Sequence, residues 1–498
     1  MSRGSTANNP YSFQMRLTAT GPLRNVILLS IAIIIHIVFC LSLHYQFLNP
    51  CFYITSHAKG QGGPFFGIYQ AGVNLINGES IYGCENYHEP KHVVVPYYHF
   101  YRYLPFCSLV SSVFVKVLKP WPAYWTWLII NEFLLAICIF LTIRLRRRYG
   151  PVAIAVSTFW LLYSPLYIEL YMGQFCFTMS FLIFLILYPY IKQETYQTES
   201  RSEDLKMFGN SSSHPKGGTA PGEALSLPAT SVFGTLAHGK PFTLISSICW
   251  VLSILLKSFT ALYSLTLIRL GKKKLALAGI AAAVLTSIPY YIKHPQDLGW
   301  FLHLNFQPLP GYVSGGCMGF NILLRDIFNR FLTVPGTDKI RLGFFDVAPS
   351  NFPIMIILAA IILITFLLTV RKKRIDPLSN ISLWTLTFFL VFKDIWEYHY
   401  VMLIPLFAGF YLRTRSKYLL ALFILLAVPT PFFFYDIPAA SDPQTYWPAP
   451  LSLFHHSFKA VPTFLFYLWV VKRELKDSPG FRSLFSFRKA AMVSLHAG

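Results

Sequence analysis

The segment from Gly63 to Tyr82 reads GPFFGIYQAGVNLINGESIY and follows the first hydrophobic run of the chain. It is aromatic and rich in glycine, too interrupted to cross a bilayer and too apolar for an ordinary exposed loop. Its apolar positions fall partly on one helical face: Phe66, Tyr69, Val73 and Leu75. The pattern predicts an amphipathic helix on the membrane surface, ended by the Asn77-Gly78 pair.

The composition of the chain is that of a membrane protein. Hydrophobic residues make up 54% of the 498 residues and charged residues 13%, about half the charged share of a typical soluble domain. The formal net charge of +21 lies in short Lys and Arg clusters between apolar runs, as in cytoplasmic loops. No basic domain or nucleic-acid motif is present. We therefore expect an all-α polytopic membrane protein that does not bind nucleic acid.

The eight cysteines are scattered and form no pair at metal-ligand spacing. This spacing disfavours a zinc site or a redox motif. No metal ligand is predicted, and a divalent metal cofactor stays an open alternative that no residue pattern supports. A bridge between Cys51 and Cys84 stays open, with unpaired and partly buried thiols as the favoured state.

Basic clusters set the expected sidedness of the spans. Residues 1–25 are predicted to be a cytoplasmic N-terminal segment, followed by an uncleaved span from Val26 to Leu43. The apolar run from Leu104 to Leu118 is short for a crossing, which needs about 20 residues. The next run, Ala123 to Ile143, ends in the RLRRR cluster at Arg144 to Arg148, a cytoplasmic mark. The short run is accordingly expected to be re-entrant or interfacial.

The segment from Phe242 to Leu270 carries Lys257 near its centre and has basic flanks on both sides. It is too short for two ordinary spans. Two short helices that meet inside the membrane reconcile these facts, with Lys257 facing protein or water, because a lysine at such depth in lipid costs ~2.5 to 3.5 kcal/mol. The alternative is one tilted span with a snorkelling lysine.

Residues 26–471 are predicted to form a bundle of about 12 hydrophobic helices, roughly 10 to 13. The remaining spans are expected at Pro151 to Leu170, Phe175 to Ile191, Leu275 to Ile292, Phe352 to Val370, Ile381 to Phe392, Val401 to Leu412, Tyr418 to Phe434 and Ala460 to Val471. Outer loops are expected at about 44–103, 293–351 and 435–459, a disordered cytoplasmic loop at 192–241, and a cytoplasmic tail at 472–498. Function is expected on the non-cytoplasmic face, where the large loops gather.

Several stretches resemble, in order, the polytopic GT-C glycosyltransferases of family 87. FFGIYQAGVNLINGESIY, from Phe65 to Tyr82, is similar to the first outer run of that family, with Phe65 where the family carries an Asp. YRYLPF at Tyr101 to Phe106 resembles its Tyr-x-Pro segment. GQFCF at Gly173 to Phe177 resembles its Gly-Gln turn.

Two later stretches continue the resemblance, which covers about residues 24 to 412. LLKSFTALYSL, around Lys257, is similar to the Lys-Pro hairpin of the family, with Ser258 in place of the proline. WEYHYVMLIP, from Trp396 to Pro405, resembles its late outer turn. The insertion at 192–241 is atypical of the family.

The resemblance implies a GT-C-like fold and a membrane-embedded hexosyltransferase. The enzyme is expected to transfer a mannose-like hexose from a polyprenyl-phosphate carrier to a lipid or glycan acceptor on the non-cytoplasmic face, in the plasma membrane. The chain has no Gly-rich nucleotide cradle, which favours a lipid-linked donor over a nucleotide sugar.

Inverting transfer needs a carboxylate that takes the acceptor proton, and cations or hydrogen-bond donors that bind the leaving phosphate. Because Phe65 cannot accept a proton, three glutamates are candidate bases, in the order Glu85, Glu169 and Glu79. The predicted substrate-binding residues are Tyr69, Tyr82, Arg102, Gln174, Lys257, Arg325, Glu397 and His399.

Two other functions stay open on the sequence. One is a catalytically inactive homologue that binds lipid or glycan. The other is a transporter or lipid flippase, which also needs many spans, a broken helix and an intramembrane charge. Large outer loops and the lack of an evident internal repeat count against transport.

Overall fold

The computed structural model describes residues 21–52, 60–82, 92–96, 99–193, 244–306, 317–331, 340–342, 345–347, 351–371, 376–431 and 449–476. Within them the chain is helical apart from one antiparallel ladder, in which β1 (Ile340–Leu342) pairs with β2 (Phe345–Val347). Glu85, Cys84, residues 194–243 and the tail after Lys476 lie outside the described residues. The role of Glu85, the bridge between Cys51 and Cys84 and the disordered loop at 192–241 therefore stay predictions.

The described helices of the first half are α1 (Gly21–Tyr45), α2 (Gly63–Ile76), α3 (Pro105–Val117), α4 (Pro120–Arg144), α5 (Arg146–Tyr149), α6 (Val152–Ser157), α7 (Pro165–Met172) and α8 (Cys176–Gln193). Those of the second half are α9 (Leu244–Leu256), α10 (Ser264–Arg269), α11 (Lys273–Lys293), α12 (Pro295–Phe306), α13 (Phe320–Phe331), α14 (Phe352–Arg371), α15 (Pro377–Val391), α16 (Ile404–Thr414), α17 (Lys417–Ala427) and α18 (Ala449–Lys476). Short 3-10 turns lie at Asn49–Cys51, Thr158–Trp160, Ser258–Tyr263 and Glu397–Leu403.

Four of the described helices are long and apolar enough to cross a membrane: α1, α4 continued through α5, α11 and α14. A fifth span results if α6 and α7, bent by 41° at the break between them, are counted together. α1 and α14 expose large aliphatic side chains along their length, such as Ile34 at 61% and Ile356 at 69%. A surface that faces water rarely carries so many exposed aliphatic side chains in one patch. This is the pattern of a helical membrane protein.

The other apolar helices are shorter. α3, α9, α15 and α17 have 11 to 15 residues and α8 has 18. At 1.5 Å per residue, a helix of 11 to 15 residues is too short to cross a hydrocarbon core of about 30 Å. The short helix predicted at 104–118 is thereby confirmed, and the described residues support four to five spans.

Three predicted segments differ from the structure. Pro151 to Leu170 is not one continuous helix, because the chain turns after Trp160 and restarts as α7 at Pro165, where the proline ring fits only the first turn of a helix. The helix predicted to reach Phe434 ends at Ala427. α18 begins at Ala449, inside the predicted outer loop 435–459, so it is much longer than predicted.

α2, the helix in the opening stretch, is buried on every side. Residues Gly63 to Asn74 are all buried, so the predicted amphipathic surface helix is wrong, although Asn77 does end the helix as predicted. α2 packs so closely on α3 that a Cβ at Gly72 would lie 2.8 Å from Ser111 Oγ. The glycine therefore sets the distance between the two helices.

The polar residues of α2 are satisfied within the protein, which explains how this helix can be buried. The Gln70 amide donates to His92 O at 2.7 Å and accepts from Val94 N at 3.0 Å. The Asn74 amide donates to Ser80 O at 2.9 Å. A buried amide is tolerated when its hydrogen bonds are made.

The predicted break at Lys257 is confirmed. α9 ends at Leu256, Lys257 is extended at φ −141° and ψ 107°, and the 3-10 turn begins at Ser258. The Lys257 ammonium lies 2.9 Å from the Sγ of Cys176, which is fully buried. The side chain thus points into the protein, contrary to the alternative of a snorkelling lysine on one tilted span.

Candidate functional site

The Gly173-Gln174 turn between α7 and α8 is held tightly against α2 and α4. Gly173 has φ +63° and donates its N–H to Glu169 O at 2.8 Å, ending α7. A Cβ at Gly173 would lie 2.8 Å from the Cβ of Phe65. The position where the resembling family carries its acid is therefore next to this turn.

The side-chain amide of Gln174 joins two tyrosines. The Tyr103 hydroxyl donates to Gln174 Oε1, and Gln174 Nε2 donates to the Tyr398 hydroxyl at 3.2 Å. Trp127 Nε1 donates to the backbone oxygen of Gln174 at 3.3 Å. Gln174, predicted to bind substrate, is thus fixed at the centre of a hydrogen-bonded group.

Glu169, one helical turn before Gly173, has a carboxylate that is only partly satisfied. The residue is 1% exposed, and its Oε1 accepts from Phe177 N at 2.9 Å. Its Oε2 makes no hydrogen bond of good geometry among the described residues, although the backbone N–H and the thiol of Cys176 also interact with this carboxylate. Burying a carboxylate oxygen without a hydrogen bond costs free energy. The Oε2 atom of Glu169 is therefore a candidate for a functional role.

Lys257 supplies the compensating charge for this carboxylate. It interacts electrostatically with Glu169 and donates a hydrogen bond to Cys176 Sγ. A cation near a buried carboxylate offsets part of the cost of burying it. Glu169, Cys176 and Lys257 are therefore neighbours beside the Gly-Gln turn.

A second group of charges, which we call the Asp394 cluster, consists of Arg102, Arg325, Lys393 and Asp394. Arg102 Nη1 donates to Asp394 Oδ2 at 3.0 Å, and Lys393 Nζ lies 4.0 Å from the same oxygen. Burial lowers the pKa of Arg325 and of Lys393, whereas the neighbouring Asp394 raises both. Three cations thus surround one carboxylate.

The Asp394 cluster is assembled from separate parts of the chain. The Asn305 amide at the end of α12 donates to Arg102 O at 3.1 Å. In α13, the Asn321 amide donates to Val391 O at 2.8 Å and accepts from Arg325 Nε at 3.1 Å. The described parts of the predicted outer segment 293–351 therefore help to position the cations.

His399 lies between the two groups of charges. Burial lowers the pKa of His399 well below its usual value, and both Lys257 and Arg102 lower it further. The imidazole is therefore neutral at physiological pH. Since its Nδ1 accepts from Trp396 N at 2.9 Å, the ring proton is on Nε2, which is left as a hydrogen-bond donor. Arg102 also acts electrostatically on Tyr103 and Tyr398, so the two groups form one site.

Four other predicted residues make their contacts elsewhere. Glu79 pairs with the exposed His92 at 2.8 Å. The Tyr69 hydroxyl donates to Leu118 O at 2.7 Å. The Tyr82 hydroxyl donates to Tyr103 O and bonds Tyr291, both at 2.8 Å, which supports the loop that carries Tyr103.

Glu397 is the fourth of the predicted residues that lie apart from the site, and its carboxylate binds other residues of the protein interior. It accepts from the backbone N–H and the hydroxyl of Thr430 at 3.2 and 3.0 Å. It also forms a fully buried ion pair with Lys459 at 3.4 Å. These contacts give Glu397 a structural part in the fold.

Sequence reasoning missed several residues of the site: Tyr103, Cys176, Lys393, Asp394 and Tyr398. Lys393 and Asp394 form a charged pair directly before the WEYHY run and after an apolar helix. An isolated pair of charges at the end of an apolar helix could have indicated that Lys393 and Asp394 belong to a functional site. The two tyrosines and the cysteine carry no such signal.

The fold is that of a helical protein with four to five candidate membrane spans, and the candidate site combines Glu169 and Lys257 with the Asp394 cluster. Comparisons with protein-family models, with curated proteins and with solved structures return no match to this chain.

Proposed function

We propose that this protein is a membrane-embedded glycosyltransferase of the GT-C type, similar to family 87. It transfers a mannose-like hexose from a polyprenyl-phosphate carrier to a lipid or glycan acceptor on the non-cytoplasmic face of the plasma membrane. The observation that carries the proposal is the presence, in one site, of the buried Glu169 carboxylate, the neighbouring Lys257 and the cations of the Asp394 cluster.

The Asp394 cluster supports binding of a lipid-linked phosphate. Arg102, Arg325 and Lys393 all act on the same carboxylate, Asp394, and such a group of cations attracts an anionic ligand. Guanidinium groups suit phosphate because they donate two parallel hydrogen bonds to it. The Nε2–H of His399 and the ammonium of Lys257 are further donors on the side of the carboxylate.

Glu169 is suited to act as the general base. Its Oε2 would accept the proton of an acceptor hydroxyl, whose oxygen then bonds to C1 of the sugar. The bond between C1 and the phosphate oxygen breaks, and polyprenyl phosphate leaves with the bonding electrons. The cations stabilise the charge that develops on that phosphate.

Glu169 also stands near the place of the missing acid. A Cβ added at Gly173 would lie 2.8 Å from the Cβ of Phe65, and Gly173 caps the helix that carries Glu169. A carboxylate from α7 can therefore reach the region where position 65 would supply one. This favours Glu169 over Glu79, whose side chain pairs with His92.

The membrane architecture agrees with a lipid-linked donor. The shorter apolar helices α3, α8, α9, α15 and α17 accompany the four to five candidate spans, which makes nine to ten apolar helices among the described residues. We infer a bundle of about 12 hydrophobic helices for the whole chain, some of them too short to cross, with the site near its outer side. Such an arrangement lets a polyprenyl chain remain in lipid while its phosphate enters the protein.

The direct test uses the purified full chain in nanodiscs, supplied with polyprenyl-phosphate mannose and a membrane-lipid extract as acceptor. Release of polyprenyl phosphate together with a new mannosylated product is the expected result. Binding of the donor without turnover would indicate the inactive homologue. Movement of the intact donor between leaflets without cleavage would indicate a flippase and contradict the proposal.

Replacing a cation of the site should weaken donor binding. Arg102→Gln is expected to raise the Kd for the phosphate-linked donor about 10- to 100-fold, since a hydrogen bond to a charged group contributes ~1.5 to 3 kcal/mol. Lys257→Met should give a loss of similar size. Binding to nanodiscs can be measured with a fluorescent short-chain donor.

The matched control is Arg269→Gln, which removes a cation at the end of α10, outside the site. Its donor affinity should equal that of the parent. If Arg102→Gln and Arg269→Gln bind the donor equally well, the Asp394 cluster is not the phosphate site.

A further inference from the structure

A second cluster of reactive side chains lies between α1 and α4, away from the site above. His36 and Cys40 are one helical turn apart on α1, and Glu132 faces them from the middle of α4. His36 Nε2 lies 2.9 Å from Glu132 Oε2 and 3.6 Å from Cys40 Sγ, and Cys40 Sγ lies 3.8 Å from Glu132 Oε1. The three donor atoms all lie within 4.8 Å of one another.

These separations are close to the edges of a tetrahedral metal site. Zinc bonds nitrogen and oxygen at about 2.0 to 2.2 Å and thiolate sulfur at about 2.3 Å, so neighbouring ligand atoms in a tetrahedron lie roughly 3.3 to 3.7 Å apart. The separation between His36 Nε2 and Cys40 Sγ matches such an edge, whereas the two separations to Glu132 involve its two different oxygens, so the carboxylate must turn to present one oxygen to the ion. Rotation about the side-chain bonds of His36 and Glu132 can supply this adjustment.

The set of donors selects the class of metal. Imidazole nitrogen, thiolate sulfur and carboxylate oxygen are all accepted by zinc, whereas magnesium and calcium avoid sulfur and nitrogen. One thiolate and one carboxylate carry two negative charges, which a divalent ion neutralises. A neutral cluster is what the interior of a membrane tolerates best.

The burial of the cluster fits a site with one open position. His36 is buried at 7% exposure, whereas Cys40 and Glu132 are partly exposed. The neighbours of His36 on the other faces of α1 are exposed aliphatic residues, such as Ile34 and Ile37. The His36 side chain is therefore turned toward α4. Because zinc takes four ligands, three ligands from the protein leave the fourth position for water or another small ligand.

We propose that His36, Cys40 and Glu132 bind one zinc ion between α1 and α4. On binding, Zn²⁺ replaces the proton of the Cys40 thiol, which is released to solvent, and the proton that His36 Nε2 donates to Glu132 moves to Nδ1, so that Nε2 can bind the ion. The ion clamps the first span to α4. The sequence did not predict this site, because its ligands are not a local cysteine pair.

The test is metal analysis of the full chain, purified in detergent, incubated with zinc chloride and freed of loose metal by gel filtration. About one zinc per chain is expected for the parent, and a value near zero for Cys40→Ser, for His36→Ala and for Glu132→Gln. Cys138→Ser, which removes another thiol from α4, is the matched control and should retain the zinc.

Cobalt provides a readout that does not depend on any variant folding. The parent loaded with Co²⁺ should show a near-ultraviolet band from charge transfer between thiolate and metal, and Cys40→Ser should lack it. If the parent takes up no stoichiometric zinc and shows no thiolate band with cobalt, the cluster is only a hydrogen-bonded contact between two helices. Equal zinc in Cys40→Ser and Cys138→Ser would also overturn the proposal.

Discussion

Glu169→Gln is expected to lower kcat for sugar transfer by about 10²- to 10⁴-fold, the usual contribution of a positioned general base. The amide keeps the shape of the side chain and can still accept from Phe177 N, but it cannot take a proton from the acceptor hydroxyl. Donor affinity should change little, because the phosphate contacts lie elsewhere in the site. Turnover and donor binding measured on the same nanodisc preparation separate the two effects.

Glu79→Gln is the matched control, since Glu79 pairs with the exposed His92. It should keep the kcat of the parent. A Glu169→Gln variant with full turnover would remove Glu169 from the mechanism and return attention to Glu85.

Lys459→Met is expected to destabilise the protein by about 3 to 5 kcal/mol, the cost of removing one partner of a buried ion pair. The Lys459 ammonium is fully buried and donates to Leu426 O at 2.7 Å and Val428 O at 2.5 Å, besides pairing with Glu397. Its loss leaves two carbonyl groups and a carboxylate without their donor. The change should appear as a lower Tm of the detergent-solubilised protein.

Lys472→Met, at an exposed position of the same helix, should leave the Tm unchanged. The double variant Lys459→Met/Glu397→Leu should recover part of the loss, because it removes the stranded carboxylate as well. If Lys459→Met melts at the temperature of the parent, the ion pair contributes nothing to the stability of the fold.

The parts of the fold that the sequence predicted are those that face lipid. α1, α4 and α14 begin and end within a few residues of the predicted runs, because lipid-facing helices are apolar on nearly all sides. α18 was predicted too short because its first half carries polar residues such as Ser452 and His456. These are buried through contacts with Asp326, more than a hundred residues away, and no local pattern reveals such partners.

The candidate site was predictable in part, for a related reason. Arg102, Gln174 and Lys257 stand out in the sequence as polar residues within apolar or aromatic surroundings. Their organisation around Asp394 and Glu169 depends on the packing of segments that are remote in sequence. Position 65 illustrates the limit, since only the structure shows that its neighbour in space is the cap of the Glu169 helix.

The Asp394 cluster also constrains how the protein is made. Arg102 and Asp394 are 292 residues apart, and a ribosome adding ~5 to 20 residues per second needs roughly 15 to 60 s to cover that distance. During this interval the nascent chain contains Arg102, but its ion-pair partner Asp394 has not yet been synthesised. The Tyr101–Tyr103 segment must therefore wait at the lipid headgroups, where water and phosphate solvate the guanidinium, and it can settle into the bundle only after α15 has been inserted.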